Sequence, residues 1–262
     1  MTVAASEIVT AEECEAFREQ GLAGPYTAMT PDEMAIVRIR LAQEVFDHRP
    51  LPGFPLYQCR HLDSRLVWEL CSNPAIVERM GAMFSPDLIL WRSHFFTKPP
   101  GGKEIPWHQD VNYWPLEPLV NITAWLAITE VTLENSCLQF IPRSHKKILP
   151  HFPTNADLGF QERADLSQVD VSKAVNVTLK PGEFILFNER ILHHSAANNS
   201  NQGRAALAIR VTIPIVKVYH DLLFPHHRCM VLRGEDHINL NRIARPPVEK
   251  NNKIGVFDLT EA

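Results

Sequence analysis

From Leu88 onward the chain is a succession of short apolar, β-branched and aromatic runs cut apart by proline, glycine and asparagine, and this texture narrows the folds open to it. The runs cover residues 88–96, 122–129, 137–141, 175–179, 184–187 and 205–213, and the first stops at Pro99-Pro100-Gly101-Gly102. Each has the length and composition of a strand, and the breakers between them prevent a helix from continuing. Many short strands in one chain are satisfied by a sandwich or a barrel. The residues ahead of Leu88 read as helices. Thr10 with Glu13 has capping-box spacing closed by Gly21, Thr30-Pro31-Asp32-Glu33 repeats the signal, and Asn73-Pro74 starts a third helix. Met34, Val37, Leu41 and Val45 recur at helical spacing and predict an apolar stripe. The expected fold is mainly β with flanking α, the N-terminal helices packed on one sheet. One domain over residues 1–262 is the simplest account: a helical part at about 1–87, a β core at about 88–215 and a C-terminal extension at about 216–262. Residues 149–172 read as a long polar loop over a site, and the tail after Leu232 has only weak periodicity.

A hydrophobic content of 45% with 21% charged residues suits a chain that buries a core. A net charge of −4 with no Lys/Arg-rich run argues against nucleic acid or an anionic membrane as partner. No stretch approaches the ~18 consecutive apolar residues of a membrane span. The start, MTVAASEIVTAEECEAF, lacks the basic and apolar regions of a secretory signal. The five cysteines are scattered and form no CxxC pair, which excludes a zinc ribbon or a thioredoxin-like motif. Reduced, mostly buried thiols in a cytoplasmic protein are expected.

Trp107-His108-Gln109-Asp110 holds the central chemical clue. On extended backbone His108 and Asp110 project the same way, an imidazole beside a carboxylate. Two ligands leave a divalent ion under-coordinated, and Ile191-Leu192-His193-His194-Ser195, just after an apolar strand, offers a third in His193. Two histidines and one carboxylate leave positions for a chelating co-substrate and O₂, an arrangement favouring Fe(II) over zinc or calcium. The spacing equally admits a structural hydrogen-bonded pair at His108 and Asp110, with His193 merely following a strand. His194, its neighbour, points the other way on a strand.

A turn-rich stretch, residues 198–203, leads into Arg204-Ala205-Ala206-Leu207-Ala208-Ile209-Arg210-Val211-Thr212. By strand parity Arg204 and Arg210 share a face with Ala206, Ala208 and Thr212, while Ala205, Leu207, Ile209, Val211 and Ile213 form an apolar face. If the arginine face is inside a barrel, its guanidinium groups need anionic partners, and a dicarboxylate held through two parallel N–H···O bonds fits beside the small alanines. If it faces solvent, the arginines stand where polar residues belong.

These residues resemble the phytanoyl-CoA dioxygenase superfamily, and within it the branch of the syringomycin-type chlorinating enzymes. The likeness rests on Leu90-Trp91-Arg92 with Phe95-Phe96, on Trp107-His108-Gln109-Asp110, on the run from Asn135 to His145, and on Pro181-Gly182-Glu183-Phe184 through His193 and Ser195 to Arg204. It implies a double-stranded β-helix (a cupin-like jelly roll) with Fe(II), 2-oxoglutarate as co-substrate and O₂ at its mouth. It assigns His108, Asp110 and His193 to the metal, Arg204 to the far carboxylate of 2-oxoglutarate, and Thr123 and Trp125 to positions near that co-substrate. Arg210 matches an arginine near the metal. Asn112, Tyr113 and Trp114, directly after the motif, are candidates for contacting substrate. Chlorinating members replace the motif's carboxylate by Ala or Gly to seat chloride; here the position is Asp110, so the resemblance implies a hydroxylase.

The expectation is an oxygenase that hydroxylates an aliphatic C–H of a small molecule, in secondary metabolism, with release of succinate and CO₂. The same residues serve desaturation, cyclisation or epimerisation, and a non-oxidative metal-binding barrel or 2-oxoglutarate sensor would share the metal motif. The absence of a basic patch disfavours a carrier-tethered substrate against a free one. His94 and His145 read as structural groups, and the Pro-flanked His226-His227 as a candidate for the substrate mouth.

Overall fold

The computed structural model describes residues 9–154 and 158–248 of the chain. Its N-terminal part contains α1 (Ala11–Gln20), β1 (Leu22–Thr27), α2 (Pro31–Leu41), α3 (Arg65–Cys71) and α4 (Pro74–Met83). Strands follow: β2 (Leu88–Lys98), β3 (Ile105–His108), β4 (Leu116–Glu117), β5 (Ile122–Ala127), β6 (Leu138–Phe140), β7 (His151–Pro153), β8 (Glu162–Ala164), β9 (Val175–Val177), β10 (Glu183–Asn188), β11 (His193–Ser195), β12 (Arg204–Thr212), β13 (Lys217–Val218) and β14 (Met230–Arg233). Both anticipated capping boxes form, with Thr10 and Thr30 each accepting from the N–H three residues on while Glu13 and Glu33 reach back. Gly21 ends α1 at φ 81°, a left-handed conformation that an L side chain adopts only with strain, and its N–H bonds the Phe17 carbonyl at 2.8 Å.

Two antiparallel sheets form the jelly roll. The larger has the order β1-β10-β5-β12-β2-β14 and the smaller β3-β11-β6-β9. The parity expected for β12 is present: Leu207, Ile209 and Val211 pack outward into one cluster with Met34, Leu66, Ile76 and Met80 of the helical segment, while Ala206 and Ala208 turn inward beside Trp125, Phe140 and Phe187. Covered on both faces, β5 is buried at all six positions, so it reads as a continuous apolar run rather than an alternation.

Three segments depart from the sequence reading. The stretch after Gly21, inside the expected helical part, is strand β1, which pairs with β10 (Leu22↔Phe187, Tyr26↔Phe184) and forms one edge of the larger sheet. Residues 149–172 are not wholly irregular: β7 and β8 pair as a hairpin (His151↔Ala164). The C-terminal extension supplies β14, which pairs with β2 at the opposite edge. For β1 and β14 pairing with a partner remote in sequence supplies the strand, which local periodicity cannot register.

Candidate metal centre

The β3–β11 pairing creates the site. His193 lies directly across from His108 in the antiparallel register, which brings their rings to 4.1 Å between centroids. Asp110 opens a single helical turn (Asp110–Tyr113) just beyond β3, so its carboxylate turns back towards the pair. One ligand atom from each of His108, Asp110 and His193 lies within 4.8 Å of the others, and this is the one such group of three or more metal-ligating side chains among the described residues.

Local hydrogen bonds set the tautomers. His108 Nδ1 lies 2.8 Å from the Pro106 carbonyl and His193 Nδ1 lies 3.0 Å from the Ile191 carbonyl, each two residues back. A carbonyl only accepts, so Nδ1 carries the proton and the Nε2 lone pair faces the centre. Burial, reinforced by His108, pulls His193 down to about 3, so it stays neutral and able to ligate at physiological pH. For Asp110 burial acts in the opposite sense, yet the Arg210 guanidinium and the contact with His108 hold its carboxyl well below the usual range. Arg210 Nη2 stands 3.5 Å from Asp110 Oδ2, close enough for charge attraction, while that oxygen accepts no hydrogen bond. Two imidazoles that present Nε2 and one ionised carboxylate fit a divalent first-row ion with open positions.

Gln109, between the two motif ligands, is fully buried on the other side. Its amide donates to the Lys147 carbonyl (2.8 Å) and to that of Arg190, its Oε1 accepts from Leu149 N–H (2.8 Å), and its own N–H donates to His151 Nε2 (3.0 Å). It anchors the H-x-D turn to two loops, a positioning role that the bare motif does not reveal.

The centre opens into a cavity of ≈ 270 Å³ between the sheets. Arg204, the first residue of β12, lines it, is 3% exposed, and has no hydrogen-bond partner for Nε or Nη1. Its guanidinium sits 5.2 Å over the Trp125 ring. Burial lowers it only to about 10, so it remains charged. Ser195 shares this wall. Its hydroxyl is fixed by the buried Nζ of Lys98 (2.8 Å), which also donates to Ser136 Oγ (3.0 Å) and to the Ala196 carbonyl (2.6 Å). Ser195 entered the sequence reading only as part of the family motif, with no role assigned, and Lys98 was absent from it. The signal for Ser195 is its parity with His193 on the same strand, and for Lys98 only the register Arg204↔Lys98 reveals it.

The remaining candidates divide. Trp125 and Trp114 line the cavity, as do Arg210, Arg92 and His94. Thr123 is fully buried outside the lining, directly across from Arg210, and its hydroxyl accepts from Asn121 Nδ2 at 3.3 Å. Asn112 is exposed and bonds His151, away from the cavity. The side chain of Tyr113 lies outside the described residues. His194 borders the cavity, but its ring nitrogens are held by Gln139 (2.8 Å) and Glu104 (3.1 Å). His226 and His227 lie outside the cavity lining: His226 stacks on Phe54, and the fully buried His227 bonds His220 and the Trp91 carbonyl (both 2.7 Å). From the β7–β8 hairpin side, Phe160 sits 4.7 Å from the His108 ring.

The chain is similar to known proteins in sequence and in fold. A family model described as phytanoyl-CoA dioxygenase (PhyH) matches residues 2–206. A probable phytanoyl-CoA dioxygenase of Caenorhabditis elegans is 27% identical over 157 residues, covering 56% of this chain and 50% of that protein. The chain spans about half the length of the curated relatives it matches. Among solved structures, the apo form of ThoJ, a non-haem monooxygenase, has TM-score 0.76 at 23% identity, over 90% of this chain and 89% of its own. CytC3 with Fe(II) and alpha-ketoglutarate has TM-score 0.74 at 26% identity, over 94% of this chain and 96% of its own. Among the described residues no helix is long and apolar enough to cross a membrane.

Proposed function

The chain belongs to the phytanoyl-CoA dioxygenase family, and from that premise we propose that it is a non-haem Fe(II)- and 2-oxoglutarate-dependent oxygenase that hydroxylates an aliphatic C–H of a small molecule. The observation that carries the reading is one cavity holding both a His108–Asp110–His193 donor set and a buried guanidinium, Arg204, with unsatisfied N–H groups. A metal site alone would not need Arg204. A dicarboxylate that chelates the metal through its 2-oxo acid end needs a cation for its other end, and Arg204 with the Ser195 hydroxyl supplies one.

When bound, the iron couples oxidative decarboxylation of 2-oxoglutarate, giving succinate and CO₂, to oxidation of the substrate by O₂. The chain's own residues set the geometry. His108 and His193 present Nε2 because their Nδ1 protons are tied to backbone carbonyls. Asp110 occupies the position that a halide would need, which supports hydroxylation over chlorination. Trp125 under Arg204, with Phe187, Phe160 and Leu138, walls the cavity with apolar surface and limits water around the oxidant. We place the enzyme in a reducing cytoplasm, supported by five cysteines that are all free, four of them buried. Residues 1–262 acting as one catalytic domain belongs to the same proposal, supported by β1 and β14 closing the two edges of one sheet.

Succinate release from 2-oxoglutarate under Fe(II) and O₂, stimulated by candidate substrates, tests the activity, and dialysed iron content tests the ligands. Asp110→Ala should lose Fe(II) retention and turnover together. An Asp110→Ala protein with wild-type iron content and full hydroxylation would sink the assignment.

A further inference from the structure

Four charged side chains line the cavity: Arg92, Arg204, Arg210 and Asp110. On the functional reading above, the metal's two charges are met by Asp110 and the chelating carboxylate of 2-oxoglutarate, and Arg204 meets the far carboxylate. Two positive charges are then left over, one on Arg92 and one on Arg210, whose nearest carboxylate, Asp110 (Nη2 to Oδ2 3.5 Å), is already engaged by the metal. They are neighbours, directly across from each other on β2 and β12. Both guanidinium groups lie against one ring, Trp114, with Arg92 Cζ at 5.2 Å and Arg210 Cζ at 4.4 Å from its centroid.

Their hydrogen bonding is incomplete. Arg92 donates through Nη2 to Gln58 Oε1 (2.6 Å), and its buried Nε has no partner. Arg210 is 3% exposed, and neither Nε nor Nη1 has a partner. Two adjacent guanidinium groups repel, and burying them with empty N–H groups is costly. His94, on the same wall, is driven to about 3 by burial and by these two arginines, so it stays neutral and cannot serve as their counter-charge. Arginine forks match a carboxylate, and an aromatic plate beneath them holds the forks in place.

We propose that Arg92 and Arg210, seated on Trp114, bind a free carboxylate of the substrate, so that the chain takes an anionic small molecule. The inference rests on the oxygenase reading, because that reading assigns the cavity's other charges. It places the anchoring group on the Trp114 side of the centre, with 2-oxoglutarate held separately at Arg204. Neutral or cationic compounds of the same shape bind poorly, because they leave both guanidinium groups unpaired.

The test uses the full chain loaded anaerobically with Fe(II) and saturating 2-oxoglutarate, so that Arg204 and the metal are occupied. Phenylacetate, 3-phenylpropionate and hexanoate are titrated by calorimetry against their neutral amides. Each acid is expected to bind at least tenfold more tightly than its amide. Arg92→Gln should abolish that preference, Arg92→Lys should retain part of it, and the 2-oxoglutarate Kd should change less than twofold in either. Equal binding of acids and amides, no binding of any acid at millimolar concentration, or a preference that survives Arg92→Gln would each overturn the proposal. A weakened 2-oxoglutarate Kd in Arg92→Gln would also overturn it, by assigning this pair to the co-substrate. The two readings fail separately. Iron and 2-oxoglutarate bound without acid preference removes only the carboxylate site, and an Arg92-dependent acid preference in a chain that retains no iron removes only the oxygenase.

Discussion

Replacing Arg204 by methionine should move two quantities in opposite directions. Arg204 is 3% exposed, stands 5.2 Å over Trp125, and leaves Nε and Nη1 without partners. If those nitrogens grip the far carboxylate of 2-oxoglutarate, the variant loses two charge-assisted hydrogen bonds. At about 1.5–2 kcal/mol each, the loss is about 3–4 kcal/mol, roughly 10²- to 10³-fold in Kd. Without co-substrate the balance reverses, because the arginine is a buried charge with unmet N–H groups while methionine packs against the indole at no such cost. The ligand-free variant should therefore be as stable as the wild type or more so, by about 1–3 kcal/mol. Calorimetric titration of 2-oxoglutarate and denaturant unfolding of the ligand-free chain measure the two effects. A drop in affinity below about fivefold, which is about 1 kcal/mol, would refute the binding role. A ligand-free variant destabilised by more than about 2 kcal/mol would show that Arg204 is structural.

Three further outcomes follow from buried groups away from the ligands. His61 and His227, both fully buried, are pulled down to about 3 by burial, so they charge readily only after unfolding. Stability is then fully present well above pH 6.5 and falls as pH drops towards 3; between pH 6.5 and 5 the two together cost roughly 3 kcal/mol, read as a fall in urea midpoint that His227→Gln reduces. Glu189, 4% exposed, is pushed up to about 7 by burial, so the unfolded chain ionises first and stability falls as pH rises from about 4.5 to 7. Glu189→Gln should gain about 3 kcal/mol at pH 8 and almost nothing at pH 4, and equal effects at both would contradict this. The Arg60–Asp63 pair is buried at both ends (2.8 Å), so Asp63→Ala should cost about 3–5 kcal/mol in unfolding experiments by stranding the guanidinium.

The strands of the β core were legible because each buries an alternating or continuous apolar face, and the helices because Thr10 and Thr30 carry capping boxes that act within four residues. Strand β1 and the β7–β8 hairpin were not legible. Leu22–Thr27 contains Gly24 and Pro25, poor strand formers, and exists as a strand because β10 offers it an open edge.

The sequence by itself determined the chemistry available: two histidines and an aspartate at motif spacing, and Arg204 and Arg210 on one face of a strand with small residues between. These follow from residue identity and the two-residue period of extended backbone, which need no tertiary information. What only the tertiary structure decided is which groups meet. The register His193↔His108 turned separate motifs into one donor set. The register Arg210↔Arg92 paired two cations that lie far apart in the chain. The same folding left Thr123 behind the cavity wall and Asn112 on the surface, although both were candidates by position. Register between remote strands is set by how both sheet faces are covered at once, by helices outside and by the opposing sheet inside, and no local stretch of sequence contains that information.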